Sequence, residues 1–250
     1  MPMRLQHIDI NESSRIKEEI LAQLLRNLEE ADTQGTLPVI IRAEVVVEGL
    51  DTLTWLCAQQ KPSRGYWSDR GNRFELAGSG GADVITGDGS VDYHVLMETL
   101  HDRIDSAHGS VRYFGGLRFS MDGSREEAWQ HFQAYRFVLP RFEVVTRNGA
   151  TTFACNMLTS ENEETVEAEL SDLVFPDTRL NERLGAPVTR HDLPDKDGWC
   201  KNVQAALDAF EPEKYEKVVL ARKATLEFDQ PLDAAFLLQA LKATTPQCFH

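Results

Sequence analysis

The stretch YEKVVLARK, residues 215–223, decides how the rest of the chain is read. Its centre, Val218-Val219-Leu220-Ala221, is apolar and partly β-branched, which predicts a buried strand running from Lys217 to Phe228. A lysine at the head of such a strand has two readings. It guards a sheet edge against unwanted pairing, or it takes part in chemistry. In strand geometry Lys217, Val219 and Ala221 point one way, while Val218, Leu220 and Arg222 point the other. The small Ala221 leaves room beside Lys217 on its own face. A lysine ammonium in water holds its proton up to pH ~10.4. Desolvation in a sheet-lined cavity lowers that value and supplies the neutral amine that a general base needs. Alternation alone leaves both readings open.

Outward from this stretch, helices and strands do not alternate strictly. Residues 11–33 predict a helix, with Ile16, Ile20, Leu21, Leu24, Leu25 and Leu28 as its apolar stripe. Residues 38–48 read as a strand, and 51–60 as a short helix. A hairpin follows, turning at Asp69-Arg70-Gly71-Asn72. Residues 91–105 are helical. Residues 111–120 are a strand broken by Gly115-Gly116, and 132–157 give two strands around Arg147-Asn148-Gly149. An acidic helix covers 160–173. Trp199, Val203, Ala206, Leu207 and Phe210 form the inward face of a helix from Trp199 to Phe210, which Asp197 caps, and a last helix spans 232–243. This order predicts an α+β fold, a large mixed, mainly antiparallel sheet with flanking helices. The proline-containing connection 175–197 divides an N-terminal α+β region, 1–190, from a second region, 191–250.

Composition bounds the function. The 250 residues carry 40 acidic against 26 basic side chains, a net charge of −14. Such a surface disfavours nucleic acid and anionic membranes. An anionic small substrate requires a locally positive pocket or a metal ion. Cys57, Cys155, Cys200 and Cys248 are widely spaced and read as reduced thiols. The N-terminus MPMRLQHIDI has no secretion-type apolar core, and no stretch is long and apolar enough for a membrane span, so the cytoplasm is the expected location.

Several motifs are set aside on their spacing. Gly78-Ser79-Gly80-Gly81 runs into the strand-like ADVITG rather than into a helix, so it predicts a hairpin or bulge and not a phosphate loop. His101 and His108 stand too far apart along a helix for the usual zinc pair. Asp192, Asp195 and Asp197 lack the glycine and glutamate spacing of a calcium loop.

Four segments, in order, carry a resemblance. Phe114-Gly115-Gly116-Leu117-Arg118-Phe119, Leu139-Pro140-Arg141, the helix with Trp199, Val203 and Ala206, and above all Lys217-Val218-Val219-Leu220-Ala221-Arg222 resemble the chorismate-utilising enzymes, among them isochorismate, salicylate and anthranilate synthases. The resemblance extends over much of residues 50–250, and is closest to the menaquinone-type isochorismate synthases. It implies the chorismate-binding, anthranilate synthase component I-like fold. It also implies chorismate as the small-molecule substrate and Mg²⁺ as cofactor. Within that family a lysine at the position of Lys217 goes with water as nucleophile, and glutamine with ammonia. Lys217 is therefore the implied general base, the one catalytic residue assigned in this chain. A glutamate would protonate the departing C4 hydroxyl, and further glutamates would hold Mg²⁺. These family motifs have no counterpart before His250, so the chain is expected to be an N-terminal portion, incomplete at its C-terminus and inactive alone. The expected reaction is chorismate to isochorismate, for menaquinone or siderophore synthesis. The alternatives are a salicylate synthase, or a non-catalytic half-length binding or regulatory protein.

Overall fold

The structure is a computed structural model that describes residues 8, 10–31, 38–71, 73–89, 91–107, 109–119, 127–176, 185–210 and 215–250. The chain divides into two compact units, Met1–Leu180 with Leu238–His250, and Asn181–Leu237.

The first unit holds α1 (Ile10–Glu30), β1 (Ile40–Val47), α2 (Thr52–Ala58), β2 (Arg64–Ser68), β3 (Phe74–Ser79), β4 (Asp83–Gly87) and α3 (Tyr93–Asp105). It continues with β5 (Phe114–Leu117), a 3-10 helix (Glu127–Phe132), β6 (Tyr135–Leu139), β7 (Phe142–Arg147), β8 (Ala150–Leu158) and α4 (Glu163–Ser171). The strands form a five-stranded sheet in the order β1-β8-β7-β3-β2 and a three-stranded sheet in the order β4-β6-β5. Every ladder among the described residues is antiparallel, in the α+β arrangement that the sequence predicts but without the mixed pairing it allows. No helix among them is long and apolar enough to cross a membrane.

Alternation fixes which side chains face the core. Phe142, Val144, Phe153 and Cys155 share one face of the five-stranded sheet and are fully buried. Trp55 and Phe175 meet the Phe153 ring edge-on, and Phe142 stacks on it. In α1 the stripe is narrower than expected: Ile16, Ile20 and Leu24 are buried, while Leu21, Leu25 and Leu28 are only partly covered. A smaller cluster of Ile40, Ala82, Val111 and Leu139 joins β1 to β6.

The hairpin predicted at Asp69 forms between β2 and β3, and the Asp69 carboxylate accepts from the backbone N–H groups of Arg73 and Phe74. The glycine run Gly78–Gly81 leads from β3 to β4, with Gly80 at φ +73°. Two expectations are corrected here. Residues 132–157 form three strands, because Pro140, which has no N–H to give a ladder, separates β6 from β7 in a different sheet. Gly115 and Gly116 do not break their strand but pair with Phe137 and Arg136 inside β5. A Cβ on Gly115 would stand 2.2 Å from the Arg136 carbonyl oxygen, so the glycine permits the pairing.

The second unit holds β9 (Thr189–Leu193), α5 (Lys196–Phe210) and β10 (Lys223–Glu227), with β9 and β10 antiparallel. Helix α6 (Ala234–Thr244) begins there, and its residues from Leu238 count with the first unit.

Candidate functional site

Lys217 lies in the second unit, in an extended run that leads into β10. The sequence predicts a buried strand from Lys217, but strand pairing begins only at Lys223, opposite Leu193. Lys217 is exposed, and Val219 is 78% exposed. The cause is the lack of a partner: a strand is buried by its neighbours, and among the described residues β10 has only β9. The side chains Val218-Val219-Leu220-Ala221 therefore keep the composition of an interior strand on an open surface.

Beside this run, Asp192 of β9 accepts from Arg190 at 3.1 Å and stands 3.8 Å from Arg222. The hydrogen bond from Arg190 holds the Asp192 carboxyl below its ordinary range. Arg222 thus has an ion-pairing place on β10's approach, at the solvent-exposed surface where such pairs contribute little.

Helix α5 starts earlier than predicted and has a different cap. The Asp195 carboxylate accepts from Gly198 N–H at 2.8 Å, and its carbonyl accepts from Trp199 N–H at 2.8 Å. Asp197 sits inside the first turn instead. The stripe Trp199, Val203, Ala206, Leu207 and Phe210 exists by spacing, yet no residue of α5 is buried, and Leu207 is 53% exposed.

The other family-like segments belong to the first unit. Phe114 of β5 lays its ring against Gly65 and Gly78 of the facing sheet. Leu139 is buried in the small core, and Pro140 packs over Gly78. Arg141 is buried and donates to the Asn156 carbonyl at 2.6 Å, to Glu169 at 2.9 Å and to both oxygens of Glu161. Burial lowers the Arg141 pKa, but these acceptors outweigh it and leave the value raised. Arg141 therefore ties the start of β7 to the end of β8 and to α4.

Two charged groupings escaped the sequence reading. Arg42 donates to Glu143 and to Asn156, each at 3.0 Å, with Arg112 4.0 Å from Glu143. Lys242 of α6 meets Glu75 at 2.8 Å and the Tyr66 hydroxyl at 2.7 Å, while that hydroxyl donates to Glu75. Burial and the Glu75 carboxylate push the Tyr66 phenol well above its ordinary pKa. The sequence signal was a charge inside an apolar strand, Arg42 in IIRAEVVV and Glu143 in RFEVVT, each on the face opposite most of its strand's apolar residues.

These partnerships bear on the metal. Glu143, Glu161, Glu169 and Glu75 are each engaged by an arginine or lysine. Among the described residues no group of three or more His, Cys, Asp or Glu stands close enough to hold a metal ion. His101 pairs with Asp105 at 3.1 Å, and His108 lies outside the described residues. The chain's described residues do not fit a Mg²⁺ cage.

Comparison with known proteins gives a consistent picture. A family model described as chorismate binding enzyme matches residues 25–250. The isochorismate synthase MenF of Bacillus subtilis is 25% identical over 226 residues, covering 81% of this chain and 48% of its own length. MenF of Escherichia coli is 25% identical over 234 residues, with 92% of this chain and 50% of its own length covered. The chloroplastic isochorismate synthase 2 of Arabidopsis thaliana is 26% identical over 239 residues, 81% of this chain and 42% of its own. The chain thus spans about half the length of the curated relatives it matches. The solved structure of MenF, the menaquinone-specific isochorismate synthase of E. coli, superposes with a TM-score of 0.67 over 92% of this chain and 51% of that one, at 22% identity. That likeness places the fold.

Proposed function

The chain belongs to the chorismate binding enzyme family, and from that premise we propose that the whole protein is an isochorismate synthase, with Lys217 as the base that activates water. The observation that carries this reading is the run Lys217-Val218-Val219-Leu220-Ala221-Arg222, whose first residue is the lysine that the family resemblance ties to water, as it ties glutamine to ammonia. The isochorismate synthases of three organisms among the matched relatives support it.

The chemistry suits one base and one acid on different walls of a site. Water gives a proton to the Lys217 amine as its oxygen bonds to C2 of chorismate. The ring double bonds shift, the C4–O bond breaks, and the departing oxygen takes a proton from an acid. One water enters and one leaves. The acid is proposed to come from residues outside this chain, as are the Mg²⁺ ligands that the family resemblance implies. The same residues would cover the run 217–222 and exclude water from Lys217, which favours the neutral amine. A cytoplasmic place in menaquinone or siderophore synthesis belongs to the same proposal, with menaquinone favoured by the resemblance of much of residues 50–250 to the menaquinone-type enzymes.

The test is product chromatography on the longest chain that the gene encodes, with chorismate and Mg²⁺. Isochorismate is the expected product. Salicylate with pyruvate would assign the neighbouring reaction instead, and no product at all would favour a binding or regulatory protein.

A further inference from the structure

In the first unit, strand β5 and the facing β2–β3 hairpin leave a cavity of about 750 Å³. Its shape follows from glycines. Phe114 approaches so closely that a Cβ on Gly65 or Gly78 would stand 3.1 or 3.0 Å from its ring. Two residues further, on the same face of β5, a Cβ on Gly116 would meet nothing within 4 Å. Gly116 is not in the left-handed region either. Neither backbone strain nor close approach requires a glycine there, and a glycine inside a strand weakens it. Gly116 is exposed and lines the cavity, so a side chain there would enter open space at its edge.

The described lining has aromatic walls and charge of one sign. Phe114, Trp129 and Phe132 contribute rings, the last two in tilted contact at 5.5 Å between centroids. Among the described residues Arg64, Arg118 and Arg136 line the cavity and no aspartate or glutamate does, in a chain where 40 acidic residues outnumber 26 basic ones. Arg64 donates to the Gln59 carbonyl and Arg118 to the Gly89 carbonyl, each at 3.2 Å. Arg136, half-buried on β6, makes no ion pair or side-chain hydrogen bond among the described residues.

We propose that this cavity is a binding site for an aromatic carboxylate, its ring over Gly116 between the aromatic walls and its carboxylate on Arg136. Offset or edge contact with the rings suits a flat apolar body. The planar guanidinium fork suits a carboxylate. The volume lies in the range of small-molecule sites, roughly 300–1,000 Å³. The site uses none of the residues assigned to the reaction, and it stands whether or not Lys217 is a base.

Calorimetric titration of the longest encoded chain tests it, with biphenyl-4-carboxylate as probe and biphenyl-4-carboxamide as the uncharged counterpart. The acid is expected to bind at least tenfold more tightly than the amide. Arg136→Gln should weaken the acid by roughly tenfold or more, the worth of a charge-assisted hydrogen bond, and leave the amide unchanged. Gly116→Leu should abolish both, by filling the space. If that variant melts far below wild type, the Arg136→Gln comparison decides. Lys217→Gln should leave probe binding intact, so a failure of the catalytic proposal is read separately. Equal binding of acid and amide, binding that survives in folded Gly116→Leu, or a wild type that binds neither probe because polypeptide following His250 fills the cavity, would each overturn the proposal.

Discussion

Arg42 Nη1 lies 3.0 Å from Glu143 Oε2, with the two side chains only 2% and 0% exposed. They come from β1 and β7, and Asn156 of the intervening β8 receives a second bond from the same nitrogen. A pair held out of water is costly to break, because one charge is left without a partner. Arg42→Met is therefore expected to lower stability by about 3–5 kcal/mol. Arg42→Met with Glu143→Leu should recover most of that loss. Urea unfolding of the two variants measures both. A double variant as unstable as the single one would mean that the pair's packing, not its charge balance, holds the three strands together.

The same carboxyl sets a pH dependence. Burial pushes the Glu143 pKa up, against the pull of Arg42, Arg112 and Asn156. A carboxyl raised on folding contributes stability that is complete below its unfolded value of about 4.3 and is lost as pH rises through the folded value. Glu143→Gln removes that ionisation. The urea midpoint of wild type should accordingly fall relative to Glu143→Gln as pH is raised from about 4 to 7. A constant difference over that range would show that the carboxyl titrates alike in both states.

The cysteines divide by burial. Cys57 and Cys155 are buried, and Cys200 and Cys248 are exposed. Burial pushes the Cys155 thiol up to about 12, so it stays protonated in the fold. Its contribution to stability is present below the unfolded value of about 8.5 and is lost as pH rises toward 12. With a thiol reagent at pH 8, the 250-residue chain should show two fast thiols, and four in urea. More than two fast thiols without denaturant would place Cys57 or Cys155 at the surface.

How much of this was legible beforehand depends on what each signal rests on. Helix α3 and strand β1 follow from local periodicity, so their places were readable from side-chain order alone. The division of 132–157 into three strands was not, because it depends on β6 leaving for another sheet, a tertiary choice with only Pro140 as its local mark. The stretch 217–222 is the reverse case. Its composition describes an interior strand, while burial needs neighbours that the chain's described residues do not supply. Lys217 was found through resemblance, and no spacing rule would have singled it out. Arg42 and Glu143 stand 101 residues apart, and only the register across β8 places them on one face.

The paired glycines of β5 separate packing from space. A Cβ on Gly115 would stand 2.2 Å from a backbone oxygen, whereas one on Gly116 meets nothing. Gly115→Ala must shift β5 off β6 and should cost about 1–3 kcal/mol, the usual scale of overpacking. Gly116→Ala should be neutral or stabilise by up to about 1 kcal/mol through reduced chain entropy. Thermal melts of the two variants should differ by several degrees, in that order. Equal melting points would mean that β6 yields to the extra methyl without cost.

The proposed reaction makes a prediction about oxygen atoms. If water adds at C2 while the C4 hydroxyl leaves, turnover in H₂¹⁸O places ¹⁸O in the C2 hydroxyl of isochorismate. An intramolecular shift of the C4 hydroxyl would carry unlabelled oxygen instead, and mass spectrometry distinguishes the two. Lys217→Gln should lower kcat by about 10²–10⁴, the contribution of a positioned general base, since an amide cannot take the proton from water. The same variant with added ammonium salts is informative, because the nucleophile would then need no deprotonation by Lys217. Full activity of Lys217→Gln with water alone would remove Lys217 from the mechanism, whatever the product.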